Sequence, residues 1–207
     1  MMPAPLPANT GLDPRSRRYT PTWTDGLGER LLVFDPATAT SLEILKFRRE
    51  FADQPDFEVA LRRRVVELGS LRHPSLSIIR AVEWLDGGDG LALVSHHVAG
   101  RRLSEILHNA RGAAFALEFI RQVTPAVYAL QQVRPGIAHG LLSADRVVVT
   151  REGRLVVVEY PIGPALESLH LSADYFRNDL GLALPNLREP IGLDQRLDVL
   201  QLGFIAL

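Results

Sequence analysis

The stretch from Gly136 to Tyr160, GIAHGLLSADRVVVTREGRLVVVEY, constrains this chain more than any other. Arg146 to Thr150 and Leu155 to Val158 are apolar, β-branched runs separated by a turn holding Arg151, Glu152 and Gly153. Runs of that length about a glycine-bearing turn specify a hairpin. Ahead of it, Ala116, Ile120, Val123, Val127 and Leu130 recur at helical spacing. Behind it, Pro161 opens a loop.

A chain of 207 residues forms one domain or two small lobes. Its formal net charge of −1 gives no electrostatic case for nucleic acid or anionic membrane as a partner. With no cysteine, disulfides and thiolate metal sites are excluded, which fits a reducing, cytoplasmic setting. No apolar run has the length of a membrane span. Residues 1–18, with Pro3, Pro5, Pro7 and Pro14 among small and basic residues, read as a disordered leader without the apolar segment of a signal peptide.

Taken in order, Thr20 to Thr24 and Arg30 to Phe34 read as strands about the turn Asp25-Gly26-Leu27-Gly28. Ser41 to Phe47 is a third strand. Asp56 to Ser70 is a helix, with Phe57, Leu61, Val65 and Leu68 on one face. Ser77 to Leu85 and Gly90 to Ser95 flank Asp86-Gly87-Gly88-Asp89, a hairpin signal. The long helix, Ala113 to Val133, contains Pro125, which crowds the Arg121 carbonyl and predicts a kink. Pro161 to Pro190 reads as mostly irregular, and Asp194 to Leu207 as an apolar helix. The neighbours His96 and His97 point to opposite faces of a strand, so no metal site is expected there.

The order of these elements, and particular residues within them, resemble the eukaryotic-type serine/threonine protein kinases of bacteria. That family reads G-I-x-H-R-D-L-x-x-x-N, two strands, then D-F-G. Here His139 is kept, Gly140 and Leu141 stand for the Arg and the catalytic Asp, and Arg146 stands for the metal-binding Asn. Glu159-Tyr160-Pro161 replaces D-F-G. Leu71-Arg72-His73-Pro74 is similar to the turn after the kinase C-helix, and Asp198-Val199-x-x-Leu202-Gly203 to the F-helix. The resemblance implies an α+β, bilobal protein-kinase-like fold. An N-lobe at 19–98 would hold a five-stranded antiparallel sheet and one helix. A mainly helical partial C-lobe would follow at 99–207, ending within the F-helix.

The same resemblance implies roles by position. Gly26 and Gly28 would end the glycine-rich loop, with Trp23 and Asp25 near the earlier glycines. Leu45 falls at the strand-three lysine, and Lys46 serves only if the register slips by one residue. Arg64 takes the place of the C-helix Glu. Ser95 would be the gatekeeper, and His96, His97 and Val98 would belong to the hinge. His139 and Asp198 are structural, with Asp198 accepting hydrogen bonds from the catalytic-loop backbone. Pro185-Asn186 stands for P-E, without the buried ion pair of that Glu.

Phosphoryl transfer needs an Asp to orient the acceptor hydroxyl and metal ions to neutralise the phosphates. Leu141 cannot accept a proton, and Arg146 sets a cation where magnesium would be held. Glu159 alone keeps a carboxylate able to meet a metal. The resemblance therefore implies a catalytically inactive domain, a pseudokinase that binds, scaffolds or signals through a protein partner. It has no catalytic residue and requires no cofactor. Binding of ATP and magnesium without transfer stays open, as does an atypical active kinase using Asp145 and Lys46. Apolar crowding at Leu200, Leu202, Phe204, Ile205 and Leu207 predicts that this fragment self-associates through its 198–207 helix.

Overall fold

Side-chain alternation builds the first layer. The computed structural model describes residues 20–207 other than 86, 87, 89, 108–111 and 185–191. The 1–18 leader, most of the Asp86–Asp89 turn and the Pro185-Asn186 pair thus lie outside the described residues. Strands β1 (Thr20–Thr24), β2 (Gly28–Asp35), β3 (Thr40–Phe47), β4 (Ile79–Leu85) and β5 (Gly90–His96) form one antiparallel sheet, ordered β1-β2-β3-β5-β4. Its register sets Arg30 opposite Leu45, and Leu45 opposite Leu93. Residues two apart share a face. Leu31, Val33, Leu42, Ile44, Ala92 and Val94 accordingly pack as a cluster on one side, while Leu45, Phe47, Leu91 and Leu93 face the other.

On that second face lies helix α2 (Pro55–Glu67), preceded by a single turn, α1 (Arg49–Ala52). Proline in the first turn lacks an N–H that would have no partner there anyway. Phe57 of α2 meets Phe47 edge-on, with ring centroids 5.0 Å apart. The helix stops at Glu67, short of the expected Ser70. Its apolar cluster does not end with the N-lobe. It continues through Leu141, Ile162, Leu166, Phe176, Leu180 and Leu193, so one core spans both lobes.

The second lobe is organised by α4 (Ala113–Gln131) and α7 (Gln195–Ala206). The buried face of α4 is Phe119, Val123, Ala126, Val127 and Leu130. That is rotated from the expected stripe: Ile120 is 45% exposed, because Phe119 takes the place beside the hairpin. Pro125 sits on the exposed face and the helix runs on through it. Solvent can there satisfy the Arg121 carbonyl that lost its donor. The hairpin is β7 (Val147–Thr150) and β8 (Leu155–Val157), and β6 (Gly100–Arg102) pairs with β7 to make a three-stranded sheet. Leu76 bridges Val157 in parallel, tying the N-lobe to this sheet. Single-turn α3 (Leu103–Ile106) leads towards α4, and two short helices, α5 (Gly163–Glu167) and α6 (Ala173–Asn178), interrupt the stretch expected to be irregular. No helix among the described residues is long and apolar enough to cross a membrane.

Candidate functional site

The loop before the hairpin is pinned from beneath by α7. The Asp198 carboxylate accepts the N–H of His139 at 2.9 Å, that of Gly140 at 2.8 Å, and the Gln131 amide at 3.0 Å. Gly140 has φ of +73°, and a Cβ there would lie 2.9 Å from Leu193 Cβ and its carbonyl oxygen. Only glycine meets both conditions. Leu141 is fully buried in the core shared by the lobes.

His139 Nδ1 accepts the Leu141 N–H at 3.2 Å, so Nε2 carries the proton and donates to the Val158 carbonyl at 3.1 Å. Burial, reinforced by the nearby Arg146 charge, pushes its pKa down to about 4. In the unfolded chain the ring takes up a proton near 6.5. Between those values the unfolded state binds more protons, so stability falls with falling pH, by about 3 kcal/mol in all. We expect urea midpoints to drop as the pH goes from neutral to about 4, and the slope to flatten in His139→Gln. A midpoint constant across that window would contradict a buried, neutral imidazole.

Glu159 follows the hairpin with a left-handed backbone, φ 61°, and is 4% exposed. Arg30 of β2 grips it with both prongs: Nε to Oε1 at 2.9 Å and Nη2 to Oε2 at 2.8 Å. Arg102 at the end of β6 lies 3.4 Å from Oε1, and Arg146 3.5 Å from Oε2. Asp25 pairs with Arg30 and, at 3.0 Å, with Arg146, while Glu43 of β3 holds Arg102 at 2.8 Å. Three guanidinium groups and three carboxylates therefore balance. The Arg30 guanidinium also stacks on the Trp23 ring at 4.4 Å, with Arg102 5.1 Å from the same ring. Burial disfavours the Glu159 charge, but Arg30, Arg102 and Arg146 outweigh it and hold its pKa down to about 2. Burial likewise opposes the charge on Arg30, yet Glu159 and Asp25 raise its pKa above the ordinary value.

The turn at Asp25 to Gly28 has its own N–H groups occupied. Gly26 donates to the Asp179 carbonyl at 2.9 Å, and Leu27 and Gly28 donate to Asp25 Oδ1 at 2.9 and 3.3 Å. A Cβ on Gly26 would lie 2.3 Å from the Asp179 oxygen. The Tyr175 hydroxyl sits 3.1 Å from the Gly26 carbonyl and 2.7 Å from Glu50. The segment holding α6 is thus laid directly on the turn.

Other expected positions are dispersed. Leu45 is buried on the inner face, whereas Lys46 pairs across to Glu29 and Ala92 on the outer one, so the register does not slip. Ser95 lies opposite Glu43, its hydroxyl 3.4 Å from the Glu43 carbonyl. His96 turns outward to Arg80 at 3.3 Å, and burial lowers its pKa. Val98 is half-buried and lines a cavity beside the hinge. Arg64 is buried against Glu67 at 3.5 Å, while Arg62 and Arg63 are exposed. No group of three acidic, His or Cys side chains among the described residues is arranged to hold a metal. Glu159 in particular is a poor metal ligand here, ringed by guanidinium groups. Sequence reasoning missed Arg30, Arg102 and Arg146 as partners of Glu159, and Asp25 as the carboxylate that joins Arg30 to Arg146. In the family pattern G-x-G-x-x-G-x-V, counting from Gly28 as the last glycine, Arg30 takes the valine position, which was the available signal.

No family model matches the chain. Over 144 residues it is 24% identical to the probable serine/threonine-protein kinase SCO3848 of Streptomyces coelicolor, covering 68% of this chain. It spans only 21% of that protein's length. Among solved structures, the maize SIRK1 kinase domain bound to AMP-PNP aligns with TM-score 0.73 and 19% identity, over 96% of this chain and 70% of that one. A double mutant of the Mycobacterium tuberculosis PknI kinase domain aligns with TM-score 0.63 and 19% identity, over 91% and 73%. At such identities the likeness is one of fold: this chain is a protein-kinase-like domain, α+β and two-lobed, with a five-stranded antiparallel sheet in its N-lobe.

Proposed function

We propose that this domain is a pseudokinase, a binding or scaffolding module of a cytoplasmic signalling assembly with a protein partner. Its lobes, at 19–98 and 99–207, are held closed over a site that transfers no phosphate. The observation carrying this reading is the charge cluster about Glu159. In a kinase the residue at that position holds the metal that bridges the phosphates. Here its carboxylate is neutralised by arginines drawn from both lobes. A divalent cation would have to enter among three guanidinium charges and displace a bidentate pair. Two further features agree: Leu141 is core rather than a base, and the turn that would cradle phosphates has its N–H groups bonded.

We expect no transfer of labelled phosphate to itself or to a generic acceptor protein, with either magnesium or manganese. Asp145, whose carbonyl takes an Arg102 N–H at 3.0 Å, is the nearest carboxylate in sequence to Leu141. Turnover that disappears in Asp145→Ala would overturn the proposal in favour of an atypical active kinase.

A further inference from the structure

The cleft between the lobes has an end away from its hinge. On β3, Leu42 pairs with His96 at the hinge, whereas Phe47, at the other end of the strand, pairs with Gly28. At the rise of a β-strand, the glycine turn therefore lies about 17 Å along the sheet from the hinge.

Residues 173–182 lie across that far end. Phe176, Leu180 and Leu182 are buried in the core shared by the lobes. The backbone beside them is tied on two sides. The Asp179 carbonyl accepts the Gly26 N–H of the first lobe at 2.9 Å, and the Leu180 carbonyl accepts from Arg146 Nη1 at 3.3 Å. The segment thus stands between the glycine turn and the foot of the β7–β8 hairpin.

Tyr175 fastens it to the first lobe. Its hydroxyl is 2.7 Å from the Glu50 carboxylate and 3.1 Å from the Gly26 carbonyl. A hydroxyl has one proton to give, and the carboxylate, closer and charged, takes it. The ring meets Phe51 of α1 edge-on, with centroids 6.1 Å apart. Apolar burial holds the segment down, and the hydroxyl fixes where it lands.

We infer that residues 173–182 are a strap that fastens the lobes at the end of the cleft away from the hinge, with Tyr175 as its latch. A molecule entering from that end has to lift the strap first, breaking the Tyr175 contacts and uncovering Phe176, Leu180 and Leu182. The lobes are then held at two separable places, by charge beside Glu159 and by the strap. The inference rests on the pseudokinase reading only for the closed cleft that it guards.

The test is native-state hydrogen exchange followed by NMR on the whole chain, comparing amides of one turn. The Gly26 N–H is held by the strap, whereas those of Leu27 and Gly28 are held by Asp25 within the turn. Tyr175→Phe removes the hydroxyl and keeps the ring. We expect Gly26 to exchange about tenfold faster in that variant, with Leu27 and Gly28 unchanged. Trypsin should cut after Arg177, within the strap, faster by a similar factor. Unprotected Gly26 in the unsubstituted protein, or unchanged exchange or cleavage in the variant, would overturn the latch. Equal acceleration of all three amides would do the same, because the whole turn would then have loosened. Phosphotransfer would overturn the pseudokinase reading and leave these rates as they are.

Discussion

Replacing Glu159 by Gln is expected to cost this domain about 3–5 kcal/mol, a large part of the 5–15 kcal/mol typical of a folded domain. The carboxylate offsets Arg30 directly and Arg102 and Arg146 at the edge of contact. Without it, three guanidinium groups remain close together with only Asp25 and Glu43 to balance them. Removing one partner of a buried pair costs more than the pair itself contributes, because the other charge stays out of water. Denaturant unfolding measures this directly. Adding Arg146→Met to Glu159→Gln should recover part of the loss, since it removes one of the stranded charges, and the two effects should not add. A loss below about 1 kcal/mol for Glu159→Gln would mean that water reaches the cluster.

Restoring the kinase aspartate should not restore a kinase. Leu141→Asp places a carboxyl among Ile162, Leu193 and the rest of the core shared by the lobes, with no solvent exposure. The substitution removes a leucine's apolar burial and adds a polar group without a partner, together on the order of 3–5 kcal/mol. We expect a protein that unfolds near ambient temperature and shows no phosphotransfer. A stable Leu141→Asp variant would show that this position opens to solvent, contrary to the packing around it.

What was legible in the sequence was whatever repeats or stays local. The five strands alternate over enough residues to fix their faces, and the Asp194-led helix and the hairpin carry their own turn and cap signals. The same alternation placed Lys46 and Leu45 on opposite faces, and the register of β3 bears that out. Helices of four to six residues, α1, α5 and α6, are shorter than two helical turns and leave no period to read. Strand β6 was missed because its pairing with β7 joins residues about fifty positions apart. The site was hardest of all. Arg30 and Glu159 are separated by 129 positions, and nothing local marks a strand arginine as inward-facing once its partner is unknown. The α4 face was misjudged by one position, as Phe119 and Ile120 are equally apolar and packing alone chose between them.

The most direct test of a cleft closed by its own charges is the melting temperature with and without millimolar ATP and magnesium. A ligand present at a hundred times its Kd stabilises by about 2.7 kcal/mol, roughly 5–10 °C for a chain of this size. The arrangement of Arg30, Arg102, Arg146 and Glu159 predicts no shift. A saturable rise of several degrees that vanishes when magnesium is withheld would contradict it.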